Sequence, residues 1–518
     1  MTIISQQSRF PKEWLYFVLL ASLVGSTLWL RFANLGYSNL QGDEIKALCQ
    51  PIEGQSLPEF LLSQRKGPIQ FLVTCIVSIF DPSFSSELAL RLTFATANSL
   101  AVFLMFELVR LQFSPTLGLY AALFLATNGL IVALGRIIQY QSIAILCTVA
   151  GIYFLSLAVQ NEKWKIRGLY GGSIFAAVGI LAHFDSLFVL PPMVFLLWKW
   201  INHEKKSILF STHLKHLFLA ALIFFILIAI FYIPYYFNLT DYQLEYWNQR
   251  LTQASSRTIQ LFRFYNPGPV VWIYITLIII GLLRLRWKPN HIMLLIWMAP
   301  PFIFIEFIMG DPRTHFYTYL LPLTVLVALG FETIQNGFRR LFGINGQRVI
   351  QTGCIILFGF LFFLSNKILV DHSIEYPWQP KAFLTWKLYG GELEGTFGFP
   401  YFRHWREVGE WFAEKKEDKA IYTTNEKLSL VSFYLPSSLQ YQEIDENFIR
   451  NMNEDQRIYF IQVEQPQSWQ KELLGCPLED WNRLQKPLLT FDNEAGTPLV
   501  LIYHKSRQEL QSIQQCQK

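Results

Sequence analysis

The segment Asn34-Leu-Gly-Tyr-Ser-Asn-Leu-Gln-Gly-Asp-Glu-Ile-Lys46 follows the first long apolar run of the chain, Trp14–Leu30. A run of about 20 apolar residues crosses a bilayer, so this segment lies just outside a membrane. It carries two adjacent acids, Asp43 and Glu44, with no basic neighbour before its last residue. We predict that this loop forms an active site and that the rest of the chain is a membrane frame that holds it.

The composition supports a membrane frame. Of the 518 residues, 52% are hydrophobic and only 16% are charged, whereas roughly 25% are charged in soluble proteins. Aromatic residues are abundant, as is typical of residues at membrane interfaces. We therefore predict a polytopic α-helical membrane protein. The net charge of +5 is small and its basic residues follow the membrane topology, so we predict no nucleic-acid partner.

Basic residues set the predicted topology. Residues 68–80 are apolar but short for a span. If they lie at the outer face, the basic clusters between the later runs fall inside, as the positive-inside rule requires. This predicts about eleven spans, a cytoplasmic N-terminus and an outer loop over residues 31–87. The predicted spans are Trp14–Leu30, Leu88–Val109, Leu117–Leu134, Ser142–Leu157, Leu169–Leu181, Leu187–Trp200, Leu217–Tyr236, Val270–Leu283, Ile292–Met309, Tyr319–Ile334 and Ile350–Val370.

The remaining segments are polar. Residues 237–268 predict an outer interfacial hairpin rich in aromatic and basic residues. Residues 371–518 contain no long apolar run, and we predict that they form a small extracytoplasmic α/β domain beside a membrane domain of residues 1–370. Its predicted elements are a helix at Trp405–Lys416 and strands at Ala420–Thr424, Ser432–Leu435, Tyr459–Val463 and Leu499–Tyr503. The six cysteines show no paired spacing, which predicts neither a disulfide framework nor a structural zinc site.

On this topology, ionisable residues from several segments meet at the outer face. A carboxylate there can take a proton from a hydroxyl group, and cations can hold a phosphate and stabilise it as it leaves. The pattern therefore indicates a reaction on an anionic lipid. The candidate residues are Asp43, Glu44, Lys66, Arg136, His183, Asp185, Arg313 and His315.

Each candidate also fits a purely structural role. Asp43 and Glu44 fit a helix cap followed by a first-turn acid, and Lys66 fits an interfacial lysine that extends to water. The arginines fit charge partners of nearby aspartates, and the histidines fit satisfied groups at helix ends. A metal ion held by Glu44 with His183 or His315 is a further alternative, but no ligand spacing supports it.

Six short segments, taken in order, form a pattern that is known from one enzyme class. They are Gly42-Asp43-Glu44, Lys66-Gly67-Pro68-Ile69, Ser86-Glu-Leu-Ala-Leu-Arg-Leu92, Gly135-Arg136-Ile-Ile-Gln-Tyr-Gln141, Leu181-Ala-His183-Phe-Asp185 and Thr314-His-Phe-Tyr-Thr-Tyr-Leu-Leu-Pro322. Together they resemble the polytopic C-type (GT-C) glycosyltransferases that use polyprenyl-phosphate sugars. The resemblance is greatest to glycosyltransferase family 39, the protein O-mannosyltransferases and the aminoarabinose transferases of lipid A, and it covers about residues 14–370.

The resemblance implies a GT-C fold in the plasma membrane and an inverting sugar transfer. Asp43 would be the general base, Glu44 would orient the site, and Lys66 would bind the lipid-linked phosphate with help from Arg136 or Arg313. The donor would be a polyprenyl-phosphate-linked, mannose-like hexose or a related sugar. The acceptor would be a glycan, a lipid or a protein. No cofactor is expected, although family members differ in whether they bind a divalent metal.

The sequence departs from the family pattern in two places. Gly67 and Ile69 replace residues of the family's Lys-Pro-Pro-Leu segment, and Gln141 replaces a later acid, whose role Asp185 would have to fill. Two other functions stay open: a transporter of a polyprenyl-linked glycan, and a non-catalytic partner of another transferase. Transporters often contain inverted repeats with ionisable residues at the membrane midplane. No repeat is visible here, which favours the enzyme.

Overall fold

A computed structural model of the chain describes residues 10–205, 208–252, 258–378, 397–415, 420–444, 446–453, 457–468, 472–473, 476–477 and 486–513. Arg9, a basic residue before the first predicted span, and Lys416, the last residue of a predicted helix, lie outside the described residues. The N-terminal part of the chain is helical, and the C-terminal part adds a β-sheet.

The α-helices follow the apolar runs because each run can satisfy its backbone internally only as a helix when lipid surrounds it. Short 3-10 turns precede the helices that begin at Lys165, Leu190 and Tyr317. A π-helical turn, Phe304–Ile308, follows Pro289–Ile303. The α-helices are Phe10–Phe32, Gly42–Ile45, Leu57–Ser63, Ile69–Phe80, Glu87–Gln112, Pro115–Ala126, Gly129–Gly135, Tyr140–Gln160, Lys165–Ala182, Leu190–Glu204, Phe210–Phe237, Asp241–Thr252, Thr258–Tyr265, Pro269–Leu283, Pro289–Ile303, Tyr317–Leu369, Trp405–Lys415, Leu428–Tyr434, Glu446–Asn451 and Arg507–Ile513.

The predicted polytopic α-helical fold is confirmed. Among the described residues, eight helices are long and apolar enough to cross a membrane, and the bent pair Pro115–Ala126 and Gly129–Gly135 would be a ninth. Two further predicted spans, those that begin at Leu169 and Val270, lie in helices of 18 and 15 residues, and neither helix is among these candidate spans. Length and composition therefore support fewer crossings than the roughly eleven inferred from charge placement.

The short helix Ile69–Phe80 agrees with the prediction that residues 68–80 do not cross the membrane. It has 12 residues and is therefore about 18 Å long at 1.5 Å per residue, whereas the hydrocarbon core is about 30 Å thick. In contrast, the long helix Tyr317–Leu369 is interrupted at Gly343, whose φ of +56° is left-handed. This break divides it into two candidate spans, as the sequence predicted.

The C-terminal part contains a mixed five-stranded sheet, which confirms the predicted α/β architecture. The strands are β1 Ile421–Thr424, β2 Gln440–Tyr441, β3 Arg457–Val463, β4 Glu472–Leu473, β5 Cys476–Pro477, β6 Leu489–Asp492 and β7 Pro498–Ser506. The sheet order is β2-β1-β3-β7-β6, and β4 pairs only with β5. Strand β1 runs parallel to β2 and β3, whereas β7 runs antiparallel to β3 and β6.

One predicted strand is wrong. The segment Ser432–Leu435 covers the end of the helix Leu428–Tyr434 and the residue after it. Leu430 and Val431 on this helix are completely buried, so its inner face is set by burial against the sheet and the outer loop. An apolar run of this length fits a short strand or a short helix equally well, and only packing decides between them.

The outer loop and the sheet share a single apolar core. Leu40 and Leu48 from the loop pack in the same cluster as Trp405, Val431 and Tyr459 from the C-terminal part. Hydrogen bonds reinforce this contact, because the Leu40 N–H donates to the Tyr434 hydroxyl over 2.7 Å. The loop that carries the acid pair is therefore held between the membrane helices and the sheet.

A disulfide also fixes this loop, and the prediction of no disulfide is wrong here. Cys49, shortly after the acid pair, is bonded to Cys75 in the helix Ile69–Phe80, with a Cα–Cα distance of 5.0 Å. The two cysteines are 26 residues apart in sequence and belong to no local motif. Their pairing depends on how the loop packs against the helix, which spacing alone does not reveal.

Two glycines in the long C-terminal membrane helix allow a test of the packing. A Cβ on Gly330 would lie 2.0 Å from the Leu277 carbonyl oxygen, whereas a Cβ on Gly353 would meet nothing within 4 Å. We expect Gly330→Ala to destabilise the protein by about 1–3 kcal/mol or more, as overpacking does. We expect Gly353→Ala to be neutral or to stabilise it by up to about 1 kcal/mol through helix propensity. Thermal unfolding of both variants in detergent checks this, and equal melting temperatures would contradict the helix contact.

Candidate active site

Glu44 forms the structural centre of the outer loop. Its side chain is 1% exposed and lies 2.8 Å from the Arg91 guanidinium. It also accepts hydrogen bonds from the backbone N–H groups of Gln41 and Ile138 over 2.8 and 3.0 Å. Arg91 uses its remaining donors on backbone carbonyls of the same loop. Glu44 thus joins the loop, the helix Glu87–Gln112 and the segment after Arg136, and its carboxylate is fully used by these contacts.

Asp43, the neighbour of Glu44, faces the opposite way. Its side chain is 47% exposed and forms part of the wall of a polar cavity of about 530 Å³. Because Glu44 occupies the inner side of the short helix Gly42–Ile45, Asp43 must point outward from it. The acid pair therefore divides into an anchored carboxylate and an accessible one.

Lys66 lies in the wall of the same cavity. Its ammonium donates to Gln139 Oε1 over 3.1 Å and sits 5.1 Å from the centre of the Tyr140 ring. Burial lowers the pKa of Lys66 to about 8, although the Asp43 charge acts in the opposite direction. Burial alone would raise the pKa of Asp43, but the neighbouring cations, Lys66 first among them, lower it below its usual value. Asp43 is therefore ionised at neutral pH.

Gly67 explains one departure from the family pattern. A Cβ at this position would lie 2.0 Å from the carbonyl oxygen of Leu181, which no side chain can accommodate. The absent side chain lets the backbone after Lys66 pack directly against the end of the helix Lys165–Ala182. Lys66 is thereby brought close to His183, which follows that helix.

A second, apolar cavity of about 490 Å³ adjoins the polar one. Its walls include aromatic side chains of the helix Phe210–Phe237 and of the π-helical turn Phe304–Ile308. The two cavities share six lining residues, so they meet at a junction that carries several cationic groups. The shared residues are Arg65, Lys66, Trp247, Arg250, Met309 and His315.

Arg250 and Arg65 at this junction were not among the candidates from sequence. Arg250 donates to the Asp311 carboxylate over 2.8 Å and to the Tyr246 hydroxyl. The Arg65 guanidinium lies 4.4 Å from the centre of the Tyr246 ring. Arg313 lines the polar cavity and contacts Asp311 over 2.9 Å. The basic and aromatic residues of the hairpin after residue 237 were the available signal, which we interpreted only as interfacial.

Arg136, by contrast, lines neither of the two large cavities. Its guanidinium donates to the backbone carbonyls of Leu30, Ala33 and Asn34. These carbonyls lie at the end of the first helix, where the last carbonyls of a helix have no partner within it. The geometry gives Arg136 a structural role in fixing the start of the outer loop.

The last three candidates form a buried group at the cavity junction. His183 Nδ1 lies 3.1 Å from Asp185 Oδ1, and His315 Nδ1 lies 2.7 Å from Asp185 Oδ2. The His183 ring stacks on the Tyr140 ring with a centroid distance of 3.8 Å. The structure therefore brings together residues that the sequence places more than 100 positions apart. Of the eight candidates, Asp43, Lys66, Arg313, His183, Asp185 and His315 line at least one of the two cavities.

Comparisons with known proteins agree with this architecture. A family model described as dolichyl-phosphate-mannose-protein mannosyltransferase matches residues 68–233. The undecaprenyl phosphate-alpha-4-amino-4-deoxy-L-arabinose arabinosyl transferase 1 of Proteus mirabilis is 23% identical over 289 residues, which are 52% of this chain and 50% of that protein. The chain thus matches about half the length of this curated relative.

Solved structures match over nearly the whole chain. ArnT from Cupriavidus metallidurans in the apo state superposes with a TM-score of 0.54 at 12% identity, over 94% of this chain and 98% of that one. This chain has a GT-C fold. The oligosaccharyltransferase of Archaeoglobus fulgidus, in a complex with Zn and sulfate, gives a TM-score of 0.52 at 12% identity, over 86% of this chain and 68% of that one. The resemblance to C-type glycosyltransferases inferred from the sequence motifs is confirmed.

The two acids of the outer loop should respond differently to substitution. Glu44→Gln leaves the buried Arg91 guanidinium without its charge partner, and breaking such a pair costs about 3–5 kcal/mol. We expect Glu44→Gln to lower the melting temperature of the detergent-solubilised protein clearly. Asp43→Asn and Glu53→Gln, which changes an exposed acid of the same loop, should melt close to the wild type. A Glu44→Gln protein as stable as the wild type would contradict the anchoring role.

Proposed function

We propose that this GT-C protein is an inverting glycosyltransferase that moves a sugar from a polyprenyl-phosphate donor to an acceptor hydroxyl group. The observation that carries the proposal is the junction of an apolar and a polar cavity, lined by Lys66, Arg250 and His315, with Asp43 in the polar half. A lipid-phosphate sugar has the same three parts in the same order: an apolar chain, an anionic phosphate and a polar sugar.

The cavities fit the two ends of such a donor. The apolar cavity lies among helices that have the composition of membrane spans, so a prenyl chain can enter it from the bilayer. Its aromatic walls include Phe231 and Tyr235, which offer favourable contact area to an unsaturated hydrocarbon. The polar cavity is large enough for a hexose or pentose and an acceptor group, because ligand pockets are typically about 300–1,000 Å³.

The junction supplies the cations that a departing phosphate needs. Lys66 provides an ammonium and Arg250 a guanidinium, and both lie at the boundary of the two cavities. Arg250 is positioned by Asp311 and Tyr246, so that little reorganisation is needed when negative charge develops. The role expected for Arg136 from the family resemblance passes to Arg250 in this proposal, with Arg313 in the polar cavity as a second contact.

Asp43 acts as the general base. It removes the proton from the acceptor hydroxyl, whose oxygen forms the new bond to the anomeric carbon of the sugar. The bond between that carbon and the phosphate oxygen breaks on the opposite face, and the polyprenyl phosphate leaves with both bonding electrons. The low pKa of Asp43 keeps it ionised before the reaction, and Glu44 holds the loop that positions it.

The active site is proposed to face the extracytoplasmic side of the plasma membrane, with the N-terminus in the cytoplasm. Two independent observations support this orientation. The basic clusters between the spans fall inside on this topology. The bond between Cys49 and Cys75 lies in the same outer loop, and disulfides persist in oxidising compartments outside the cytosol.

The C-terminal domain, residues 371–518, is proposed to select the acceptor, which is a glycan, a lipid or a protein. Lys427 of this domain lines a small recess with Asp43 and Gln467, and its charge lowers the pKa of Asp43. The Gly42 N–H donates to Gln467 Oε1 over 3.4 Å. Because this domain closes one side of the base, an acceptor that reaches Asp43 must pass along it.

Replacing the base tests the reaction directly. We expect Asp43→Asn to retain donor binding but to lose transfer by about 10²–10⁴-fold, the usual contribution of a general base. Purified protein would be assayed with mannosyl and aminoarabinosyl polyprenyl phosphates and with membrane acceptors. The matched control is Glu53→Gln, which removes an exposed carboxylate from the same loop and should transfer at the wild-type rate.

Other outcomes would change the proposed function. Unchanged transfer by Asp43→Asn would mean that Asp43 is only part of a helix start and that another group is the base. If neither protein transfers either sugar, but both move labelled polyprenyl-linked glycan across vesicle membranes, the chain is a transporter. Transport and transfer are measured on the same proteoliposomes, so the two functions are distinguishable.

Lys66 predicts a pH dependence. Its pKa of about 8 means that the ammonium is present below pH 8 and is lost as the pH rises through that value. Because the donor phosphate binds the ammonium, we expect kcat/KM to fall above about pH 8, and kcat to fall only at higher pH. Lys66→Arg keeps its charge throughout, so its lower activity should show no fall near pH 8. The same fall in both proteins would contradict the role of Lys66.

A further inference from the structure

His183, Asp185 and His315 form a group to which the proposed transfer assigns no chemical step. One donor atom from each residue lies within 4.8 Å of the others. The side chains are 4%, 5% and 12% exposed. His183 and His315 line the polar cavity, and Asp185 and His315 line the apolar one. The group therefore lies at the junction where the donor phosphate is proposed to bind.

The three side chains meet at Asp185, whose two carboxylate oxygens face different histidines. His183 Nδ1 lies 3.1 Å from Asp185 Oδ1 and 3.2 Å from the Asp185 backbone nitrogen. A ring nitrogen of histidine is a donor or an acceptor according to the tautomer, and the unprotonated nitrogen of a neutral imidazole binds metal ions. The geometry thus places an imidazole nitrogen and a carboxylate oxygen at the spacing of two ligands of one ion.

The distance suits a metal ion. Bonds from zinc to imidazole nitrogen and carboxylate oxygen are about 2.0–2.2 Å long, so two ligands of one ion are roughly 3–3.5 Å apart, depending on whether the geometry is octahedral or tetrahedral. The other carboxylate oxygen of Asp185 lies 2.7 Å from His315 Nδ1, which brings a second imidazole to the same carboxylate. The buried Tyr317 hydroxyl lies beside the same carboxylate. Two imidazoles, one carboxylate and one phenol hydroxyl therefore meet at this place.

We propose that His183, Asp185 and His315 bind a divalent transition-metal ion, Zn²⁺ or Mn²⁺. Two imidazoles and one carboxylate are a donor set that such ions prefer, and three protein ligands leave further coordination positions towards the cavity junction. There the ion takes up part of the negative charge of the donor phosphate, a role that rests on the proposed function. The binding of the metal itself does not depend on that function.

This site differs from the one weighed in the sequence analysis. Glu44 was the carboxylate considered there, together with one of the two histidines. Its oxygens are committed to Arg91 and to backbone N–H groups, so it has no lone pair to offer a metal at the cavity. Asp185 takes its place because the 3-10 turn Phe184–Val189 folds it back beside His183.

Metal binding is measured without any donor or acceptor. The full-length protein is purified in detergent, stripped with a chelator and titrated with Co²⁺, whose visible absorption reports nitrogen and oxygen ligands. Zn²⁺ is then used to displace it. We expect one high-affinity ion per chain, and at least a tenfold weaker affinity in His183→Gln and in Asp185→Asn. The control is His404→Gln, which removes a histidine of the C-terminal domain and should bind as the wild type does.

The possible results distinguish the loss of a metal site from a folding defect and from a failure of the proposed transferase function. Zn²⁺ should raise the melting temperature of the wild type, since a ligand of the folded state stabilises it, but not that of the two variants. If the variants do not fold, the Co²⁺ spectrum of the wild type decides. A wild type that binds no Co²⁺, or variants that bind it equally well, would overturn the proposal and leave a hydrogen-bonded His–Asp–His group. Failure of the Asp43→Asn test would instead concern only the transferase.

Discussion

The buried ion pair between Glu44 and Arg91 is the interaction on which the arrangement of the site depends. A charge pair is expensive to bury and persists only where further hydrogen bonds satisfy both partners. Here Arg91 is surrounded by backbone carbonyls of the outer loop, and Glu44 by two backbone N–H groups. The pair fixes the loop on the helix Glu87–Gln112. As a consequence, the neighbouring acid Asp43 lies on the accessible side of the loop. The cysteine bridge and the C-terminal sheet hold the same loop from its other sides.

The cavity junction unites the proposed chemistry. Lys66 and Arg250 combine a point charge and a planar guanidinium at the place where hydrocarbon gives way to a polar space. Such charges at a membrane boundary are costly and usually functional. The buried group of His183, Asp185 and His315 adds a place where a metal ion would strengthen the same positive field. The apolar cavity, the cationic junction and the polar cavity follow one another in this order. The ligand that fits this order best is a donor whose charge lies between a lipid tail and a sugar.

Sequence reasoning predicted the architecture better than the site. The membrane fold, the C-terminal α/β part and the resemblance to C-type glycosyltransferases were confirmed, because apolar length and motif order are local properties. The disulfide between Cys49 and Cys75 was missed, and Ser432–Leu435 was assigned to the wrong element. Arg250 and Arg65 were overlooked because their contribution comes from Tyr246 and Asp311, which no motif joins to the acid loop.

The sequence by itself determined where the chain can cross a membrane and which loop carries the acids, since both follow from runs of apolar and charged residues. Only the tertiary structure decided what each charged side chain does. Glu44 is buried, whereas Asp43 faces a cavity. Arg136 binds carbonyls at the end of the first helix, and Arg250 lies at the same cavity junction as Lys66. The physical reason is that a carboxylate or guanidinium takes its role from the partners within hydrogen-bond distance, and in this chain those partners come from segments far apart in sequence.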